Sequence, residues 1–229
     1  MKKNRLMAVA ALLFAGIQLC FAQKYEPTDV WPYLYNDFQN GMIRTHGGEL
    51  MQPPMMNITL DGKIHYIKAD SEKILAADMK DVYTARIGND IYLNANGKMM
   101  KVVAENDNGA VLSDTSVDTD EMGKTDIGYG ISSSTASTTK LTDLGGGSIV
   151  DLPLSTLMER RKEASVLPLE HKNYLWVNVR LIPASKRGVS EDPNIDKDAF
   201  KSFLKEHKIN WHDPASLLTV VDFIAGKNN

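Results

Sequence analysis

Short apolar runs with the alternation of β-strands fill the first half of the chain, from Gly41 to about Thr115. Turn dipeptides such as Asp61-Gly62, Asn96-Gly97 and Asn108-Gly109 separate them, and such dipeptides readily adopt the positive φ angles of tight hairpins. The pattern predicts an antiparallel β-meander, curled into a half-barrel or small barrel. Its seven strands are expected at Met42–Thr45, Met56–Leu60, Ile64–Ala69, Val82–Ile87, Ile91–Asn94, Met99–Ala104 and Ala110–Leu112.

The pattern changes to a polar segment over residues 116–148. This segment is rich in Asp, Ser, Thr and Gly, and includes the run Ser132–Thr139 and the triplet Gly145–Gly147. Such a composition buries too little apolar surface to fix one fold by itself. We therefore expect a long surface loop between the meander, residues 23–115, and a C-terminal α/β part, residues 149–229, packed with it.

The C-terminal part combines helical and strand periodicity. Residues 153–163 have the apolar spacing of a short helix, and Tyr174–Ile182 alternates like a strand. A helix is expected from about Asp196, and another begins with Asp213 as N-cap, Pro214 in the first turn and Gly226 after its end. The two helices predict an αα-hairpin, so the fold class is α+β.

The first 22 residues have the three-part layout of a secretory signal peptide. Three cations among Met1–Arg5 precede an apolar run from Leu6 to Phe21, and Cys20-Phe21-Ala22 places small residues at a cleavage site. Cleavage near Ala22 predicts an exported protein, periplasmic or extracellular. Lipidation of Cys20 and an uncleaved anchor are the alternatives. The remaining chain contains no apolar stretch of the roughly 20 residues that a membrane-spanning helix needs.

Composition restricts the chemistry further. The 229 residues carry a formal net charge of -3 and one cysteine, which lies in the leader, so an internal disulfide is impossible. Loss of residues 1–22 lowers this charge by three more, and an acidic chain gives no footprint for nucleic acid. The sequence contains no assembled nucleophile, phosphate-loop or dinucleotide motif. We expect neither a cofactor nor a catalytic residue set.

Metal sites are also not expected. The five histidines lack the spacing of a chelate: His46, His65, His171, His207 and His212. Asp192–Asp198 places oxygen ligands at alternate positions, like the start of an EF-hand loop, but Lys197 replaces the glycine and Phe203 replaces the closing glutamate. A turn followed by a helix N-cap is the favoured interpretation.

Two segments are candidates for a contact surface. The aromatic lead-in contributes Trp31, Tyr33 and Tyr35, although burial of these rings against the sheet is the favoured alternative. The polar loop contributes Ser132, Ser133, Ser134 and Thr135, since long loops often carry function.

Two parts of the chain resemble a family of uncharacterised exported proteins from Bacteroidota-type bacteria. The first part runs from Phe38 through Gly41-Met42, Gly48 and Met56-Asn57 to His65-Tyr66, and the second from Phe203 through Trp211 to Phe223-Ile224. The resemblance covers most of the chain after residue 22. It implies an exported protein of the cell envelope and assigns no residue a role.

The resulting hypothesis is an exported, non-enzymatic protein that binds an envelope protein or a glycan. An enzyme acting on glycan or peptide is the first alternative, and it would need a pocket with paired carboxylates. A subunit of an envelope assembly is the second, and it would need an unpaired strand edge.

Overall fold

A computed structural model describes residues 33–53, 55–67, 73–118 and 168–226. Eight strands form one antiparallel sheet, in the order β11-β10-β9-β8-β7-β6-β1-β2. The strands are β1 (Gly41–Thr45), β2 (Leu50–Met51), β6 (Val82–Ile87), β7 (Asp90–Ala95), β8 (Lys98–Asn106), β9 (Gly109–Val117), β10 (Leu169–Val177) and β11 (Arg180–Pro183). Strands β2 and β11 are its two edges, so the sheet is open, and of the two expected forms, a half-barrel or a small barrel, the closed small barrel does not form.

Two of the expected meander strands lie in a second, smaller sheet, together with a third strand that was not expected. It consists of β3 (Met55–Ile58), β4 (Ile64–Ile67) and β5 (Ile74–Ala76), in that order. Backbone bridges join Tyr33 to Thr59 and Gln39 to Met56, so the lead-in runs along the free side of β3. The antiparallel, hairpin-rich architecture is confirmed, but the chain leaves the large sheet after β2 and returns to it at β6.

Three helices follow β11: α1 (Lys186–Glu191), α2 (Lys197–Glu206) and α3 (Pro214–Ile224). The expected N-caps are confirmed, because the Asp196 carboxylate accepts hydrogen bonds at the start of α2 and that of Asp213 does so at α3. Gly226 follows α3 with a φ of 73°, the left-handed conformation typical of a helix end. Helix α1 was not expected; Ser185 caps it.

One expected strand is instead a hairpin. The segment Tyr174–Ile182 turns at Asn178-Val179, whose φ angles are 51° and 61°, and β10 pairs with β11 across this turn. Apolar residues alternate through the turn as well, so the sequence pattern does not distinguish this hairpin from one continuous strand. The side chain of Val179 is 81% exposed at the hairpin tip.

Two apolar clusters cover one face of the large sheet. The small sheet packs over β1, β6 and β7 in the first cluster, which includes Ile43, Met56 and Tyr92. The helices pack over β9, β10 and β11 in the second, which includes Val111, Leu175 and Phe200. We call this surface the inner face and the opposite surface the outer face.

The expected signal peptide, residues 1–22, lies outside the described residues. So do the helix expected at residues 153–163 and most of the polar segment 116–148. Strand β9 continues to Val117, and so overlaps the first two residues of that segment.

Candidate functional site

A polar stripe separates the two apolar clusters on the inner face. Along β9, Val111 belongs to the helix cluster and Val117 contacts the small-sheet cluster, whereas Ser113 and Thr115 lie between them. Strand β10 repeats this order, because Leu175 and Leu169 flank the paired residues Asn173 and His171. Alternate residues of a strand share one face. The strands therefore carry hydroxyl, amide and imidazole groups at the one place where neither cluster covers them.

A cavity of about 280 Å³ opens over this stripe. The large sheet forms its floor, and the β3–β4 connection forms one wall. Its lining residues are Leu34, Thr59, Gly62, Tyr92, Met99, Lys101, Val103, Ser113, Thr115 and His171. The lining thus combines an apolar part with hydroxyl, ammonium and imidazole groups.

The β3–β4 wall is held against β8 by a close backbone approach at Gly62. The amide of Met99 donates to the carbonyl of Gly62 at 2.9 Å, and Lys63 Nζ donates to the carbonyl of Gly97 at 2.7 Å. A Cβ at position 62 would overlap Lys98 Cγ, and the φ of 79° also favours glycine. The Thr59 hydroxyl donates to Asp61 within this turn. Two hydrogen bonds therefore attach the wall to the floor.

A hydrogen-bonded network lies beneath the cavity. The Tyr35 hydroxyl donates to Asp90 Oδ2 at 2.7 Å and lies 2.8 Å from the Tyr92 hydroxyl. Lys101 Nζ contacts Asp90 Oδ1 at 2.6 Å, with both side chains about four-fifths buried. The ion pair cancels the formal charge of the only ammonium group among the described lining residues. The network also fixes where the Lys101 side chain lies.

Thr115 and His171 form the second polar contact of the site. Their Oγ1 and Nδ1 atoms lie 3.0 Å apart on paired strands. Such a pair can donate to and accept from a ligand, because both groups have both capacities. A hydroxyl hydrogen-bonded to an imidazole is also one arrangement that can activate a nucleophile.

A β-bulge places Val103 at the rim. The β8–β9 register shifts between Val102 and Ala104, which leaves Val103 without a partner on β9. Bulges bend a strand and redirect side chains, and they are frequent beside functional sites. Here the bulge adds a half-exposed apolar side chain to the cavity lining.

The aromatic residues expected at a contact surface are core residues where they are described. Tyr33 is fully buried and Tyr35 is 9% exposed, so neither ring is available for stacking. Their expected place on a contact surface is thereby corrected, and burial against the sheet is the correct alternative. The Tyr33 hydroxyl lies 2.7 Å from His65 Nδ1. Burial raises the pKa of Tyr33 and lowers the pKa of His65. The negative charge of Asp61 raises the pKa of His65, but this effect is smaller than that of burial. Trp31 and Ser132, Ser133, Ser134 and Thr135 lie outside the described residues.

The EF-hand-like segment serves as a turn and helix cap. Asp192 accepts two hydrogen bonds from Arg180, at 2.7 and 2.9 Å, and Asp196 caps α2. Within the described ranges, no three His, Cys, Asp or Glu side chains cluster in a way that could hold a metal ion.

Sequence reasoning missed the cavity residues. The expected strand ends at Leu112, so Ser113 and Thr115 lie within the expected meander, residues 23–115, but in no expected strand. The alternation Val111, Ser113, Thr115, Val117 was the available signal, since it places two hydroxyl residues between apolar ones on one strand face. Lys101 and His171 gave no comparable signal, because their neighbours come from other strands.

Comparison with protein-family models, with curated proteins and with solved structures finds no match to this chain. The resemblance to an exported family stays a prediction. No helix in the described part of the chain combines the length and apolar content needed to cross a bilayer.

Proposed function

We propose that this protein is an exported, non-enzymatic binding protein of the cell envelope, and that it binds a neutral saccharide in the polar cavity. The observation that carries the proposal is the cavity itself, in which hydroxyl and imidazole groups surround a charge-compensated lysine. Export is supported by the signal-peptide pattern of residues 1–22.

The chemistry of the lining suits a saccharide better than a charged ligand. Ser113 and Thr115 hydroxyls donate and accept, as sugar hydroxyls do. Because Asp90 compensates Lys101, an anionic ligand gains little net attraction from this ammonium group. Leu34, Met99 and Val103 supply an apolar patch for the C–H face of a sugar ring.

The cavity volume limits the size of the ligand. Sites for drug-sized molecules measure roughly 300–1,000 Å³, and about 280 Å³ is just below that range. One sugar residue fits this space. A longer glycan would bind through one terminal sugar residue, and its other sugar residues would lie outside the cavity.

Isothermal titration calorimetry and thermal-shift measurements test the proposal with glucose, galactose, mannose and N-acetylglucosamine as probes. At least one should bind and raise the melting temperature. Thr115→Val keeps the shape and removes the hydroxyl, so it should weaken that binding about fivefold, the effect of one hydrogen bond of about 1 kcal/mol.

Thr84→Val is the matched control. Thr84 is also a half-buried strand threonine, but its register with Leu93 places it on the outer face. Binding should be unchanged in this variant. If all four sugars fail to bind, or if both variants weaken binding equally, the cavity is not a saccharide site.

An enzyme acting on glycan or peptide is a second candidate, favoured by the 3.0 Å contact between Thr115 and His171. The described lining contains no carboxylate, so the paired carboxylates of a glycosidase are not found there. Mass spectrometry of a glycan or peptide mixture after incubation separates the two candidates. The binding proposal expects unchanged substrates, and products that disappear in His171→Phe would establish the enzyme.

A further inference from the structure

An exposed patch of mixed character covers the outer face near the β2 edge. Across the strands, Met42 pairs with Arg86 and Arg86 with Ile91. In the neighbouring row, Leu50 pairs with Arg44 and Arg44 with Thr84. Side chains on such rows share one face. We call these six residues the arginine patch.

The arginine patch combines two accessible guanidinium groups with exposed apolar side chains. Leu50 is 54% and Ile91 44% exposed, and both arginines are exposed. Among the described residues neither arginine makes an ion pair; Arg86 donates only to the carbonyl of Gly88. None of the six residues carries a carboxylate, although the chain is acidic as a whole.

We propose that the arginine patch binds peripherally to an anionic phospholipid surface. Guanidinium groups bind phosphate well, since their planar array of donors matches its oxygens. Leu50 and Ile91 flank the two cations and can enter the boundary between headgroups and acyl chains. The six side chains lie on one face of the sheet, so they can contact a membrane surface together. The polar cavity lies on the inner face, so it would remain open in the bound protein.

Vesicle sedimentation of the full chain tests the proposal. Vesicles of phosphatidylcholine with phosphatidylglycerol should capture more protein than phosphatidylcholine alone, and the excess should fall at high salt. The double variant Arg44→Gln/Arg86→Gln should weaken capture by the anionic vesicles roughly 25-fold, at about fivefold for each cation near the surface. Leu50→Ser/Ile91→Ser should weaken it as well, while the salt dependence persists.

The control Arg187→Gln/Lys201→Gln removes two exposed cations from the helices, and thus changes the net charge equally. It should bind like the wild type. Because all variants contain residues 1–22, the effect of each substitution is read as a difference from the wild type. Equal capture by both vesicle types would overturn the proposal, and so would equal effects of the two charge-removing variants. Circular dichroism and melting curves show whether each variant is folded.

Discussion

The strained hairpin tip at Val179 gives the sharpest stability prediction. Val179 is β-branched, yet it has a φ of 61° and an 81% exposed side chain. The left-handed conformation costs a non-glycine residue about 1–2 kcal/mol, and little burial offsets that cost here. Val179→Gly removes this strain and creates an Asn-Gly dipeptide, the preferred sequence of a two-residue hairpin turn.

Two opposing contributions determine the change in the free energy of unfolding. Relief of the backbone strain stabilises the variant, whereas glycine loses more backbone entropy on folding, which costs about 0.5–1 kcal/mol. The net stabilisation should be about 0.5–1 kcal/mol, which raises the melting temperature of a chain of this size by about 2 °C. Urea unfolding followed by circular dichroism and thermal melting measure the two quantities.

Two further variants make the result decisive. Asn178→Gly should change stability little, since asparagine already tolerates this conformation, and Val179→Ala should gain less than glycine because it keeps the Cβ. If residues 174–182 were one continuous strand, Val179→Gly would destabilise the protein by about 1 kcal/mol. A loss of stability in this variant would therefore refute the hairpin geometry.

Three other variants test separate parts of the account. Asp213→Ala should cost about 1 kcal/mol in urea unfolding by removing the N-cap of α3, and an unchanged midpoint would contradict the cap. Gly62→Ala should destabilise the protein more than Gly97→Ala in the same assay. Both glycines have a positive φ, but only at position 62 would a new Cβ meet strand β8. Equal losses of stability in the two variants would contradict the close approach of Gly62 to β8. Burial lowers the pKa of His65 in the folded protein below its ordinary value of 6.5, so the stability present above about pH 6.5 should be lost as the pH falls from there through the lowered pKa. His65→Gln should lose less stability than the wild type between neutral pH and about pH 5. Equal losses of stability in the two proteins would show that His65 does not cause the pH dependence.

Local patterns predicted most of the elements. Hairpin dipeptides located the strands from β6 to β9, and the caps Asp196 and Asp213 located two helices, because turns and caps depend on residues close in sequence. The division into two sheets was not predictable in this way. It depends on β1 pairing with β6, thirty-seven or more residues further on, and no local signal specifies that contact.

The candidate site also depends on contacts that local sequence patterns do not specify. Alternation along β9 could have placed Ser113 and Thr115 on one strand face, but the identity of their neighbours depends on register with β8 and β10. The aromatic residues of the lead-in depend on distant contacts in the same way. Composition alone left Tyr33 and Tyr35 open to exposure or burial, and contacts with residues distant in sequence, such as the bridge from Tyr33 to Thr59, hold them in the core.

Chemical-shift mapping of the full chain tests whether a saccharide binds in the cavity between the two apolar clusters. Amide spectra would be recorded during titration with the sugar that stabilises the protein most. We expect the largest shifts at Thr59, Lys101, Ser113, Thr115 and His171, around the cavity. Shifts confined to other surfaces, such as α3 or the arginine patch, would contradict a ligand site between the two apolar clusters.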